Sequence, residues 1–168
     1  MNLTQYVRFK KKYILQVCIA FFFMFAALLA LGTLTETLLL SAIGACSLGS
    51  SVTTAFITPT SPTSHPVNAI GGYIIGMCVG FLCFYGDYFT RDLFPLVNFI
   101  NIDGAFGALA ISLSLVIMAI LKLEHPPAAG FALGLVLEHW DHYTIIIVIT
   151  FVLMLTVIKR LLLPWLDK

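Results

Sequence analysis

With 168 residues, 60% of them apolar, 10% charged and a net charge of +1, the chain has too little polar surface to coat a soluble globule. It reads as an integral membrane protein forming a single transmembrane domain over 1–168. The near-neutral balance argues against a nucleic-acid surface, and no long polar stretch exists to form a second, soluble domain.

In chain order, Arg8, Lys10, Lys11 and Lys12 precede a first apolar run at 13–31. That run is too long for a signal-peptide core and no convincing small-x-small cleavage site follows, so it reads as retained. Further runs occupy 38–57, 69–86 and 104–121, and each of the four, 18 to 20 residues long, spans roughly 30 Å of hydrocarbon as a helix. The segment 128–137 is about half a span. The last, 143–163, spans only if Lys159 and Arg160 snorkel to the interface.

With the N-terminus in the cytoplasm, six segments in alternation place eight of the nine basic residues inside and only Arg91 outside, as the positive-inside rule asks. The acidic residues Glu36, Asp87, Asp92, Asp103, Glu138 and Asp141 fall on the far side. Both termini are then cytoplasmic, and the expected location is a multi-pass protein of a bacterial inner membrane. The outer loop 87–103 carries Phe89, Phe94, Pro95 and Phe99, aromatic enough to lie along the interface with its charges solvated. Cys18, Cys46, Cys78 and Cys83 sit within apolar runs without Cys-x-x-Cys spacing and read as packing residues.

A shift of 60 residues aligns Tyr13-Ile14 with Tyr73-Ile74, Cys18 with Cys78, Phe21 with Phe81, Gly44-Ala45 with Gly104-Ala105, His65-Pro66 with His125-Pro126, and Ala69 with Ala129. This is a weak duplication in constant register, with repeat 1 at about 13–68, repeat 2 at about 73–128, and a short helix and final helix over 128–163. Each copy holds two spanning helices and then a His-Pro loop. The copies are therefore expected to be parallel, with both loops on the cytoplasmic side. The fold class is an all-α polytopic membrane helix bundle.

The organising stretch is Leu123-Glu124-His125-Pro126-Pro127-Ala128-Ala129-Gly130, a charged and rigid interruption between apolar runs. Two prolines fix φ and withhold N–H groups, so one helix ends near Lys122 and the next starts at Pro126 or Pro127 with His125 at its N-terminus. Unpaired N–H groups and an imidazole beside them make a seat for a small anion. The matching loop, 58–68, has three prolines and many hydroxyls. Gly72, Gly76 and Gly80 follow it on one helix face, where another backbone can approach. Ser47, Ser50, Ser51, Thr54 and Thr58 are spaced to line one stripe of the second helix, where hydroxyls either bond back to their own helix carbonyls or line a hydrated path. Gly104, Gly107, Ala108 and Ser112 form a small-residue packing face. In the cluster Glu138-His139-Trp140-Asp141-His142, metal ligation competes with a solvated polar cap, and the cap is favoured.

Taken together, Ser61-Pro62, Pro66, Asn68 with Gly71-Gly72, and above all His125-Pro126-Pro127-Ala128, resemble the HPP family of small integral membrane proteins, over about 39–163. Family members in plastids and cyanobacteria are associated with nitrite transport, so the resemblance implies a carrier or channel for nitrite or a similar small anion. The family usually carries Gln-Pro-Arg-Asn in the first loop and often His after the two glycines. This chain has His65-Pro66-Val67-Asn68 and Tyr73, so the arginine charge is missing at Val67 and His65 compensates in part. The family is commonly described with four spanning helices, against four clear runs here plus the short segment and the last run.

The expected function is passage of a small inorganic anion, nitrite-like, with proton linkage as an option and no enzyme activity, cofactor or metal. The expected binding residues are His65, Asn68, Ser50, Ser51, Thr54, Glu124, His125, Pro126 and Pro127, with Glu124 holding a proton on His125. The bilayer and a second copy of the chain are the expected partners, the homo-oligomer being favoured by Gly72, Gly76 and Gly80. The alternative is a membrane metalloprotein or enzyme using His65, Glu124, His125 and the 138–142 cluster. No His-x-x-x-His box, Glu-x-x-His pair or Gly-x-Ser-x-Gly elbow supports it.

Overall fold

The computed structural model describes residues 13–26, 29, 42–94, 102–137, 140 and 142–166, and these are helical throughout apart from short turns. The elements are α1 (Tyr13–Ala26), α2 (Ala42–Ile57), a 3-10 turn η1 (Pro62–Ser64), α3 (Pro66–Leu93), α4 (Ile102–Leu121), α5 (Pro126–Leu137) and α6 (His142–Leu166). Among them α3, α4 and the Tyr143–Leu162 part of α6 are long and apolar enough to cross a membrane, while α1, α2 and α5 are shorter apolar helices. The expected positions of Arg8, Lys10, Lys11, Lys12, Glu36, Pro95 and Phe99 lie outside the described residues.

Prolines and one left-handed residue set the boundaries. Pro66 occupies the first turn of α3 behind an extended His65 (φ −66°, ψ 135°), where its fixed φ suits a helix and its missing N–H breaks no bond. At the same end of the bundle, beside the first turns of α3, α4 closes with Lys122 at φ 56°. The Leu123 N–H reaches Met118 O at 2.9 Å and the Lys122 N–H reaches Ala119 O at 3.2 Å, the paired bonds of a Schellman ending. α5 then begins at Pro126, as the two prolines predict.

α3 runs seven residues past its expected end at 86. Its last turns are tied by Arg91 Nε to both Asp87 carboxylate oxygens at 3.0 Å, and Arg91 also reaches Asp103 at the start of α4 at 3.4 Å. Of the charges expected to be solvated in an outer loop, Asp87, Arg91 and Asp103 are thus paired and join two helix ends.

α5 is the centre of the bundle, packed against α2, α3 and α4. A helix enclosed on all sides must be apolar all round, and Ala128, Ala129, Phe131, Ala132, Leu135 and Val136 are all buried. The seat for it is the glycine stripe of α3. A Cβ on Gly72 would lie 2.7 Å from the His125 Cβ, one on Gly76 would press into the Ala128 backbone, and one on Gly80 would meet Leu135 Cδ1 at 2.9 Å. These glycines are buried within the chain. They are filled by α5, so the stripe that the sequence offers to a second copy is already occupied. The rest of the core comes from Leu48, Val52 and Phe56 of α2, Met118 of α4, and Val148, Val152 and Leu155 of α6. Of the cysteines only Cys83 is buried, whereas Cys18, Cys46 and Cys78 are exposed on the outside of the chain, against the packing role expected of all four.

Candidate functional site

Ser47 and Ser51 are one helical turn apart on α2 and point the same way into the bundle; both are buried. Opposite them α3 presents Tyr73, also buried, immediately after the glycine whose missing side chain admits His125. His125 is 2% exposed, held at the start of α5 by the two prolines behind it. Its Nδ1 lies 2.9 Å from the Thr63 carbonyl oxygen and its Nε2 lies 3.1 Å from Ser51 Oγ. Ser51 Oγ is 2.9 Å from the Tyr73 hydroxyl, which is 3.0 Å from Ser47 Oγ, and Ser47 donates to the Pro127 carbonyl. The result is a continuous polar chain through an apolar interior. A buried polar group left unpaired costs about 1–3 kcal/mol, which fixes these side chains in place.

The first His-Pro loop meets the second through its backbone. η1 is held by Asn68 Nδ2 donating to Pro62 O at 3.0 Å and by the Ser61 and Thr63 hydroxyls 2.8 Å apart. From the far side Lys159 of α6, 4% exposed, donates to the Ser64 carbonyl and hydroxyl. Lys159 therefore does not snorkel to an interface as the sequence suggests; its ammonium is buried against η1, while Arg160 is exposed. Beside η1 opens a pocket of about 650 Å³ lined by Thr60, Ser61, His65, Val67, Lys159 and Arg160 together with the loop prolines. Three of these residues are basic and none is acidic.

His125 lies in the turn between α4 and α5, outside the long spanning helices. Burial holds its imidazole below the ordinary histidine range, the hydrogen bond to the Thr63 carbonyl opposes that shift, and the Lys159 charge adds to it.

The profile of the family described as "HPP, transmembrane region" matches residues 10–163. The chain belongs to the HPP family. No curated protein and no solved structure matches it. In this HPP protein the His-Pro-Pro motif therefore forms a buried helix start whose histidine is bonded on both ring nitrogens.

Of the expected site residues, Ser51, His125 and Pro127 come together in this HPP protein. His65 is exposed at the start of α3, with no side-chain capping bond, and lines the pocket instead. Asn68 braces η1. Ser50 is exposed and Thr54 half-buried, and Thr54 donates back to the Ser50 carbonyl at 2.8 Å, so the hydroxyl stripe divides and only its Ser47–Ser51 edge enters the interior. Glu124 and Pro126 are exposed. Glu124 has no hydrogen bond or ion pair among the described residues, and the Thr63 carbonyl, not Glu124, is the acceptor at Nδ1. Tyr73 and Lys159 were not among the expected binding residues. The signal for Lys159 was a charge, followed directly by Arg160, inside an apolar run, which by default marks function; Tyr73 stood out only as a departure from the usual family residue.

Among the described residues no three His, Cys, Asp or Glu side chains group as metal ligands. Within the 138–142 cluster Glu138, His139 and Asp141 lie outside the described residues. Trp140 packs on Phe81 and Phe84 and donates to Leu135 O at 3.1 Å.

Proposed function

We propose that this HPP protein carries a small inorganic anion, nitrite-like, across the bilayer as a transporter or channel and is not an enzyme. The observation that carries this reading is the pocket beside η1, where Lys159, Arg160 and His65 line one wall system with hydroxyls and no carboxylate. Stripping water from an anion in an apolar setting requires fixed positive charge and donors in exchange. Lys159 at the pocket's edge and the polar chain behind η1 supply such groups along a line into the bundle. Proton linkage through His125 belongs to the same reading.

The order α1, α2, His-Pro, α3, α4, His-Pro, α5 supports an origin in two parallel repeats with both loops on the cytoplasmic side of a bacterial inner membrane. A second copy is best placed against the outward small residues Ala105, Ala108 and Ser112 of α4, which are exposed.

The test is flux into proteoliposomes across nitrite, nitrate, chloride and formate, comparing the native chain with Arg160→Gln, an exposed position. Flux of at least one anion above empty liposomes, reduced severalfold by Arg160→Gln, is the expected result. Absence of anion flux in liposomes shown to contain inserted protein would overturn the proposal.

A further inference from the structure

The polar chain behind η1 contains five contacts: His125 Nδ1 to Thr63 O, Nε2 to Ser51 Oγ, Ser51 Oγ to the Tyr73 hydroxyl, that hydroxyl to Ser47 Oγ, and Ser47 Oγ to Pro127 O. Both ends are carbonyl oxygens, which only accept. Every contact therefore needs one hydrogen from the ring or the three hydroxyls. A neutral imidazole has one N–H, and three hydroxyls add one each, so the neutral chain holds four hydrogens for five contacts. Either neutral tautomer leaves one pair of lone pairs facing each other. An imidazolium supplies the fifth hydrogen. Nε2–H then donates to Ser51, Ser51 to Tyr73, Tyr73 to Ser47 and Ser47 to Pro127 O, while Nδ1–H donates to Thr63 O.

We infer that His125, Ser51, Tyr73 and Ser47 together form a proton-binding site in which one proton from water, taken up at the ring, completes the hydrogen-bond chain. The step forms one N–H bond and breaks one O–H bond of hydronium. It turns the Ser51 hydroxyl from Nε2 to Tyr73 and sets the Tyr73 hydroxyl toward Ser47, so the polarity of the whole chain is set by that proton. No carboxylate does this work: Glu124 is exposed on its side of the turn. The groups facing the ring are the Tyr73 ring from α3, Ser51 from α2, the Thr63 carbonyl from η1 and, through space, the Lys159 ammonium from α6. α5 contributes no ionisable residue, and Lys122 at the end of α4 is exposed. Burial and the Lys159 ammonium oppose the proton, and the completed chain favours it, so the site is poised to load and unload. As a coupling site it rests on the transport reading above; as a proton site it does not.

The test reads proton occupancy, not flux. Nitrogen-15 NMR of ring-labelled histidine in lipid nanodiscs, with the His125 signal assigned by its loss in His125→Gln, is followed against pH for the native chain, Tyr73→Phe, Ser47→Ala and the outer-face control Thr53→Ala. Removing either the Tyr73 or the Ser47 hydroxyl leaves three contacts among the ring and the remaining hydroxyls, which a neutral imidazole satisfies. Proton binding at His125 should therefore weaken about tenfold or more in both variants, the equivalent of one charge-assisted hydrogen bond, and stay unchanged in Thr53→Ala. A merely structural Tyr73 would leave the titration where it is. The same His125 titration in all four chains would overturn the proton site, whatever the flux assay shows; normal coupling of the titration with no anion flux would overturn only the transport reading.

Discussion

His125 and Lys159 donate to consecutive carbonyl oxygens, those of Thr63 and Ser64. One side chain comes from the start of α5 and the other from α6, and they clasp the same 3-10 turn from two sides. Lys159 also lines the basic pocket, while His125 begins the buried hydroxyl chain. The turn's two outward carbonyls bring an imidazole and an ammonium close enough for one charge to bias the other.

That bias gives stability a defined pH dependence. His125 has its proton affinity lowered in the folded chain, so below the ordinary histidine value of about 6.5 the unfolded chain binds protons that the native chain does not. The contribution is fully present above about pH 6.5 and is lost as pH falls through the lower folded value. Thermal unfolding in detergent should show this acid loss in the native chain. In Lys159→Met the opposing charge is gone, the folded value moves up toward the unfolded one, and the acid loss should shrink even though the variant loses a donor to Ser64 and is less stable at neutral pH by about 1–3 kcal/mol.

Gly76→Ala should be among the most damaging small substitutions in the chain, because the added carbon runs into the Ala128 backbone, which cannot rotate away. A cost of about 3 kcal/mol, the upper end for overpacking, is expected. Gly49→Ala is the control: its nearest neighbour is Met24 Cε at 3.7 Å, and the gain in helix propensity should leave stability unchanged or higher by up to about 1 kcal/mol. Equal melting temperatures for the two variants would contradict the close α3–α5 contact.

Val67 is exposed and lines the basic pocket. Val67→Arg places there a charge that persists at every working pH. It should tighten anion binding severalfold in a flux or tracer assay and flatten its pH dependence, since an arginine does not release its proton where a histidine does. Unchanged affinity would remove the pocket from the anion's route.

Lys122 ends α4 in the left-handed conformation, which a residue with a Cβ adopts at a cost of about 1 kcal/mol. Lys122→Gly should keep the Schellman bonds and raise stability by about that amount, measured by denaturant unfolding. A decrease would mean that the lysine side chain, not the backbone, holds this turn.

The apolar runs and the prolines made most of the helices legible, because run length and missing N–H groups act locally. His125 was legible for the same reason, as a titratable group fixed between a helix end and two prolines. What stayed hidden depends on neighbours distant in sequence. Whether Lys159 reaches water or Ser64 is decided by where η1 lies, 95 residues away. Tyr73 joins Ser47 and Ser51 only because α2 and α3 both pack on α5, which no periodicity encodes. Likewise Glu124 is adjacent to His125 in the chain yet exposed, while the Thr63 carbonyl, 62 residues away, accepts the hydrogen bond from the ring. The extension of α3 to Leu93 was missed because Asp87 and Arg91 read as loop charges, when four-residue spacing also fits one helical turn closed by an ion pair.

The glycine seat on α3 also determines which parts of the bundle can slide. With Gly76 set against the Ala128 backbone, α3 and α5 interlock like a tongue in a slot, and His125 keeps its place relative to α3. On the transport reading proposed above, an opening for an ion would come from helices outside that fixed pair, and α2 and α6 drawing away would take the serines and Lys159 with them. Spin labels spanning α3 and α5 should keep one separation through the working cycle, while labels spanning α2 and α5 should report two.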